Sequence, residues 1–337
     1  MSLLRFVLTV SIGFLMVASS GCDSPNETKP ADTSSLHESL RPKLTNKVAA
    51  VAYPLQYFTQ RIAGDHLNVE FPVGHSPSQP NWQPPASAIT VLQDADLIIT
   101  NGPGAEYADW LSRVSLSPSK LVKSCINFAS NDFVMVKDHK IVHQHGPEGE
   151  HSHPYMVAYS WLDPFVAEKQ AKQILQRMCQ TYPEWKDDFE ANFATLQTDF
   201  HQLQSLLKES PEPQNAIVLS INPQFKFLTR SAKIEDRHFL WFEKESAVAK
   251  SEEPTVPRKV EFTERLNSIR ESSPDSQVVL LIPSDGEFGL EESLGANYED
   301  EFNLNVVRLN TLDQKPDSGD YVQAMKANIE RLQNSVR

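Results

Sequence analysis

Five of the chain's ten histidines are concentrated in one short segment. Between Asp138 and Pro154 the chain places His139, His143, His145, His151 and His153. Glu148 and Glu150 add carboxylates to the same segment. Neutral imidazoles on a polar loop can chelate a divalent cation when several of them converge. We therefore predict a His-rich loop over residues 138–154 that contacts metal; the alternative is a solvated surface loop without a ligand.

Patterns of strand and helix alternate on both sides of this loop. Apolar runs with strand character cover 48–54, 67–73, 96–100, 121–128, 216–221, 238–243, 277–282 and 305–310. Helical patterns cover 54–64, 86–95, 105–114, 223–230, 260–271 and 321–336. Strands that alternate with helices through short connections favour a mostly parallel sheet with helices on its faces. The sequence therefore predicts an α/β fold on each side of the loop.

A long helical stretch separates these two α/β regions. From Pro164 to about Glu209 the pattern is helical, with one interruption at Tyr182-Pro183. In its second part, aromatic residues and leucines from Trp185 to Leu207 recur at three- and four-residue intervals. At a rise of 1.5 Å per residue this helix would span roughly 40 Å. We predict an N-terminal lobe over 46–163, a helical connection over 164–210 and a C-terminal lobe over 211–337.

The N-terminus has the features of an export signal. Arg5 precedes an apolar run over 6–18, which is too short for a stable spanning helix. Small residues then lead to Cys22, an ending that resembles a bacterial lipoprotein signal; an ordinary signal peptide is the alternative. We predict a signal peptide over 1–21 and a flexible tether over 22–45, lipidated at Cys22. This anchor would hold the protein on the periplasmic side of a bacterial membrane.

Composition and motifs exclude several classes of protein. The net charge of −13, without a basic stretch, argues against a nucleic-acid partner. The sequence contains no G-x-S-x-G, P-loop or Rossmann glycine signature, so no enzyme is predicted. Cys125 and Cys179 could form a disulfide or remain as two free thiols. We expect a monomer.

Over residues 47–335 the chain resembles the solute-binding lipoproteins of zinc and manganese ABC transporters. The resemblance rests on VAAVAYPLQYFTQRIAGDHLNV, on LQDADLIITNGPG and on the WLDP that begins at Trp161, in the same order. It implies two lobes joined by a long helix, and one zinc ion between them, with manganese second. Three histidines and a carboxylate would hold the ion, and an ABC permease in the membrane would be the partner.

The positions that correspond to the family's histidines carry other residues in this chain. The first position falls on Ser78 or Pro80, the second on Tyr159 and the third on Asn222. Neutral hydroxyl and amide oxygens are poor zinc ligands, and a tyrosine must first lose a proton with a pKa of about 10. The resemblance therefore implies a cleft whose metal affinity is severely reduced.

Other residues could supply a substitute site. The resemblance places the carboxylate ligand around Asn310 or within the SDGE of 284–287. Asp285 and Glu287, with His75, could form a remodelled site beside Tyr159 and Asn222. Three functions stay open: a zinc receptor that uses the loop and a remodelled cleft, a receptor for a small organic ligand, and a non-transporting scaffold that has lost the site.

Overall fold

A computed structural model describes nine segments of the chain. They are residues 44–73, 83–102, 110–111, 114–144, 150–210, 212–213, 215–239, 259–284 and 298–337. For residues 137–144, 150–155 and 259 the description is limited to the backbone. The predicted signal peptide and the tether up to residue 43 lie outside the described residues.

The first lobe is built on a parallel sheet with strand order β2-β1-β3-β4. Its strands are β1 (Lys47–Ala50), β2 (Asn68–Glu70), β3 (Leu97–Thr100) and β4 (Leu121–Lys123). Helix α1 (Tyr53–Ala63) begins with Pro54 in its first turn and ends at Gly64, which has a φ of 58°. Helix α2 (Ala86–Asp94) leads into β3. Residues 48–50 of β1 and 97–99 of β3 are apolar and buried, as expected for a parallel sheet that is covered on both faces.

The second lobe repeats this design with strand order β10-β9-β7-β8, and all its pairs are parallel. The strands are β7 (Ala216–Ile221), β8 (Asp236–Phe239), β9 (Gln277–Pro283) and β10 (Leu304–Leu309). The helices are α5 (Lys226–Ser231), α6 (Lys259–Ser272), α7 (Tyr298–Phe302) and α8 (Tyr321–Ser335). The predicted α/β architecture with two parallel-sheet lobes is thereby confirmed.

Two long helices connect the lobes. Helix α3 (Pro164–Thr181) is capped by Asp163, whose carboxylate accepts a hydrogen bond from the Phe165 amide at 2.9 Å. Helix α4 (Lys186–Lys208) has 23 residues and contacts α1 and α8. The predicted apolar stripe of α4 is buried: Phe189, Phe193, Leu196, Phe200, Leu203 and Leu207.

One apolar cluster extends through both lobes. It includes Val48 and Ile98 of the first sheet, Phe200 of α4, and Val218 and Val279 of the second sheet. A second, smaller cluster lies under α6, around Phe262. Residues 44–337 accordingly form one compact unit.

The His-rich segment differs from the predicted loop. Residues Met135–Gln144 (β5) and Glu150–Met156 (β6) pair as antiparallel strands, with Ile141 opposite His153 and His143 opposite His151. We call strands β5 and β6 together the His hairpin. β-branched residues in β5 favour a strand, so the two segments can pair.

Several smaller predictions change in the structure. Strand β4 ends at Lys123, because residues 124–127 form a turn, and β8 begins at Asp236 rather than at His238. Most of the predicted helix over 105–114 lies outside the described residues. Cys125 and Cys179 are free thiols. In the part of the chain that the structure describes, no helix combines the length and apolar character needed to cross a bilayer.

Candidate functional site

The carboxyl ends of both parallel sheets carry the residues that could line a cleft. In open α/β sheets, ligands bind outside the carboxyl ends of the strands. Asn101 follows β3 directly, and its amide donates to the Ala158 carbonyl oxygen at 2.5 Å. This bond holds the segment that contains Tyr159 next to the end of the first sheet. Asp313 lies four residues after the end of β10 in the second lobe.

Tyr159 and Asp313 contact each other across the boundary between the lobes. The Tyr159 hydroxyl donates to Asp313 Oδ2 at 3.2 Å, and the two residues are only 6% and 5% exposed. The Tyr159 ring packs edge-on against Trp161, with ring centroids 5.7 Å apart. Burial of a carboxylate is costly unless it is hydrogen-bonded or paired, so Tyr159 offsets part of the cost for Asp313.

Asp313 is the residue of this site that our sequence reasoning missed. The prediction put the carboxylate at Asn310 or within 284–287. The Asn310 side chain instead accepts a hydrogen bond from the Leu312 amide at 2.7 Å and so shapes the turn after β10. Leu312 has a φ of 60° in this turn. The turn brings Asp313 to Tyr159, and the available signal was the acid nearest to the end of β10 in the connection that follows this strand.

The segment 159–163 contacts the second lobe at every second residue. Besides the Tyr159–Asp313 bond, Trp161 Nε1 donates to the Thr311 carbonyl oxygen at 2.9 Å. The Tyr321 hydroxyl donates to the Trp161 carbonyl oxygen at 2.7 Å. We call these contacts, together with the one between Asp163 and Arg230, the lobe clasp.

The contact between Asp163 and Arg230 is an ion pair at the base of the lobe clasp. Arg230 Nη2 lies 2.9 Å from Asp163 Oδ2, and the carboxylate is buried. Burial raises the pKa of Asp163, and the hydrogen bond from Arg230 opposes that rise. The same guanidinium donates to the carbonyl oxygens of Asn131 and Phe133 at 3.1 and 3.3 Å. Arg230 therefore ties α5 of the second lobe to two segments of the first.

A network of neutral polar groups lies behind Tyr159. Asn101 Oδ1 accepts hydrogen bonds from Ser160 Oγ at 2.9 Å and from Gln170 Nε2 at 2.7 Å. Burial raises the pKa of the neighbouring Cys125 thiol to about 12. A thiol with this pKa stays protonated at neutral pH and is not a ready metal ligand, because the thiolate is the ligand form. The network thus fixes the backbone around Tyr159 rather than offering a ligand set.

Asn222 has a structural role that sequence reasoning did not identify. It follows β7 with a φ of 63°, and its backbone amide donates to the Phe239 carbonyl oxygen at 2.8 Å. Asparagine adopts this left-handed conformation more readily than most residues. The geometry accounts for asparagine at this turn, where the Asn222 backbone contacts strand β8.

The remaining predicted site residues cannot be placed as a group. Four histidines of the His hairpin, His139, His143, His151 and His153, are described by their backbone alone. The other predicted residues lie outside the described residues: Cys22, His75, His145, Asp285 and Glu287. Among the side chains that the structure describes, no three His, Cys, Asp or Glu residues converge to hold an ion.

Comparison with known proteins places the chain in a family. A family model for the periplasmic zinc-uptake complex component A, ZnuA, matches residues 48–335. The zinc-binding lipoprotein AdcA of Streptococcus pneumoniae strain R6 is 29% identical over 223 residues, which cover 64% of this chain and 42% of AdcA. The chain therefore spans about two fifths of the length of that relative.

Solved structures agree with this fold. The metal-dependent lipoprotein YcdH from Bacillus subtilis has a TM-score of 0.61 and 19% identity, covering 88% of this chain and 100% of that chain. FpvC from Pseudomonas aeruginosa, in complex with Mn²⁺, has a TM-score of 0.66 and 15% identity, covering 88% of this chain and 99% of that chain. At these identities the likeness shows the fold alone. The match of the family model over residues 48–335 shows that the protein belongs to the ZnuA family of periplasmic zinc-uptake components.

Proposed function

We propose that the protein is the solute-binding component of a zinc ABC uptake system and that it is not an enzyme. The observation that carries this proposal is the register of the His hairpin, in which His143 lies opposite His151 and His153 lies two residues further along β6. Opposed residues in an antiparallel pair have Cβ atoms about 5 Å apart, and residues two apart on a strand share a face. Imidazoles at such positions can share one cation.

The cleft at the lobe boundary is the proposed second binding site for the ion. Asp313 would supply a carboxylate there, and His75, Asp285 and Glu287 are the further ligands that the sequence offers. Tyr159 and Asn222 would line the cleft. Zinc is the first choice of ion because the His hairpin supplies imidazoles, which suit zinc, whereas the cleft set of one imidazole and three carboxylates also suits manganese.

The family supports a setting for this function. A lipid anchor at Cys22 would hold the protein at the periplasmic side of a bacterial membrane. The protein would act there as a monomer. There it would deliver the ion to a membrane permease. The relative AdcA is named a zinc-binding lipoprotein, which agrees with this setting.

One observation favours a second function, that of a scaffold without an ion. The Tyr159 hydroxyl bonds directly to Asp313, so the two lobes are joined at the boundary without a metal. A protein held together in this way could keep the fold and serve another role at the membrane.

Calorimetric titration of zinc and manganese into the purified protein separates the two functions. We expect zinc to bind more tightly than manganese, and His143→Ala or His151→Ala to weaken zinc binding at least tenfold. His201→Ala is the matched control, because His201 is an exposed histidine of α4 outside the His hairpin. Absence of zinc binding to the wild type would favour the scaffold, and unchanged binding in both hairpin variants would refute the role of the His hairpin.

A further inference from the structure

Tyr159 bonds to the carboxylate that an ion in the cleft would need. We propose that Tyr159 is a specificity-determining residue of this cleft. Its hydroxyl occupies Asp313 Oδ2 when no ligand is bound, and this hydrogen bond joins the two lobes. A cation that takes the same carboxylate oxygen, Oδ2, would have to displace this hydroxyl. The part of the inference that concerns the ion rests on the proposed function, whereas the part that concerns the lobes does not.

The Tyr159–Asp313 bond lies at the boundary between the two lobes. Tyr159 belongs to the first lobe and Asp313 to the second, and both side chains are buried. The hydroxyl and Oδ2 are 3.2 Å apart. A hydrogen bond to an ionised acceptor is roughly twice as strong as one between neutral groups. The pair is therefore a direct, water-shielded connection between the lobes.

Contacts of the neighbouring Trp161 support the Tyr159–Asp313 bond. Trp161 is held through both its side chain and its backbone: its indole N–H donates to the Thr311 carbonyl oxygen, and its own carbonyl oxygen accepts from the Tyr321 hydroxyl. These contacts hold the backbone of Tyr159 and the backbone of Asp313 next to each other independently of the hydroxyl bond. A bond between pre-positioned groups loses little conformational entropy. The hydroxyl therefore competes well for the carboxylate.

A cation that binds Asp313 Oδ2 would displace the Tyr159 hydroxyl from it. A divalent cation would bind the Asp313 oxygen, while a protonated phenol, with a usual pKa of about 10, is a poor ligand. Binding therefore breaks one O–H···O bond and forms one metal–oxygen bond, and the hydroxyl keeps its proton. The new metal–oxygen bond has to be more favourable than the hydrogen bond that it replaces, so ions that bind carboxylate weakly are excluded. Tyr159 in this way raises the threshold for occupancy of the cleft.

The first lobe offers a matched control for this bond. The Tyr182 hydroxyl donates to Asp96 Oδ2 at 3.0 Å, and Tyr182 is fully buried. Asp96 lies at the amino end of β3, away from the lobe clasp. Tyr182→Phe thus removes the same kind of bond without touching the contacts between the lobes.

Hydrogen exchange of the metal-free protein tests the connection between the lobes. With zinc removed by a chelator, we expect Tyr159→Phe to speed amide exchange in residues 159–163 and 311–313 at least tenfold. Tyr182→Phe should leave exchange in these two segments unchanged. Equal exchange in the Tyr159→Phe variant and the wild type would overturn the inference. If Tyr159→Phe does not fold, Asp313→Asn, which keeps the size of the acceptor side chain and removes its charge, provides the second comparison.

Zinc titration tests the competition for Asp313. We expect Tyr159→Phe to bind zinc about tenfold more tightly than the wild type, Tyr159→His to bind it more tightly still, and Tyr182→Phe to match the wild type. Zinc affinity that stays unchanged or falls in Tyr159→Phe, while the wild type binds zinc, would overturn the competition. If the wild type and every variant bind no zinc, the proposed function fails, and the exchange experiment alone decides whether Tyr159 joins the lobes.

Discussion

At the scale of single residues, Asp163 illustrates how one carboxylate serves several elements. It caps α3 through the Phe165 amide and pairs with Arg230 of the second lobe. The WLDP motif predicted the start of this helix, because aspartate before a proline is a typical N-cap sequence. The partner Arg230 was not predictable, since it is 67 residues away and only the folded chain brings it near.

We expect Arg230→Met to destabilise the protein by about 3 kcal/mol at neutral pH, because it leaves a buried carboxylate without its charged partner. Burial already raises the pKa of Asp163, and loss of Arg230 should raise it further. A group with a raised pKa in the folded state favours folding below its unfolded pKa and loses that contribution as pH rises. The loss of stability in Arg230→Met should therefore be largest at neutral pH and should become smaller toward pH 4.

Urea unfolding at both pH values checks this prediction. Arg237→Met is the control, because Arg237 forms an exposed pair with Glu235 at 4.0 Å. Exposed pairs contribute about 0–1 kcal/mol, so this variant should change stability little at either pH. A loss in Arg230→Met that is the same at both pH values would contradict the titration of Asp163.

The site was predictable from sequence only in part. The family resemblance predicted Tyr159 and Asn222 as cleft residues, from their places before WLDP and after the first strand of the second lobe, and that role stays a prediction. Asp313 was missed because the turn at Leu312, with its positive φ, decides where the acid points, and this turn has no strong sequence signal. The geometry of a turn of this kind depends on tertiary contacts, among them the bond from Asn328 to Asn310 at 2.8 Å.

At the scale of elements, periodicity and caps predicted most helices and strands. The helices α1, α4 and α8 and the strands β7, β9 and β10 follow clear apolar patterns. The His hairpin was mistaken for a loop because its histidines and prolines hide the alternation of a strand. Pairing with a neighbouring strand, rather than propensity, decides the conformation of such a segment.

Asp320 is the N-cap of helix α8. The Asp320 carboxylate accepts from the Gln323 amide at 3.0 Å and from the Tyr57 hydroxyl at 3.0 Å. We expect Asp320→Ala to cost about 1–2 kcal/mol, as for other lost N-caps, with added loss from the contact to α1. Asp320→Asn should restore most of the stability, because asparagine is also a good N-cap.

Thermal unfolding followed by circular dichroism measures these differences. Asp317→Ala serves as the control, since Asp317 is an exposed acid of the same connection. A melting temperature of Asp320→Ala equal to that of Asp317→Ala would show that the cap does not stabilise α8.

At the scale of the whole molecule, the shared core makes the two lobes interdependent. Phe200 of α4 lies edge-on to Phe58 of α1, with ring centroids 5.3 Å apart, and Phe58 lies edge-on to Tyr321 of α8 at 4.8 Å. These three aromatic side chains are buried. Because α4 connects the lobes and α8 belongs to the second, this aromatic group joins the two α/β units.

We therefore expect Phe200→Ala to cost about 3–5 kcal/mol while unfolding remains a single transition. Phe262→Ala, in the smaller cluster under α6, should cost a similar amount and also give one transition. Scanning calorimetry with tryptophan fluorescence as a second probe tests both variants. Two separate transitions in the wild type would contradict a shared core.

The most direct test of the account is zinc titration into the metal-free wild-type protein, run beside His143→Ala, His201→Ala and Tyr159→Phe. We predict that the wild type binds zinc, that loss of His143 weakens binding, that loss of His201 does not, and that removal of the Tyr159 hydroxyl strengthens it. A wild type that takes up no zinc, in a protein that is otherwise folded, would contradict the proposed zinc receptor.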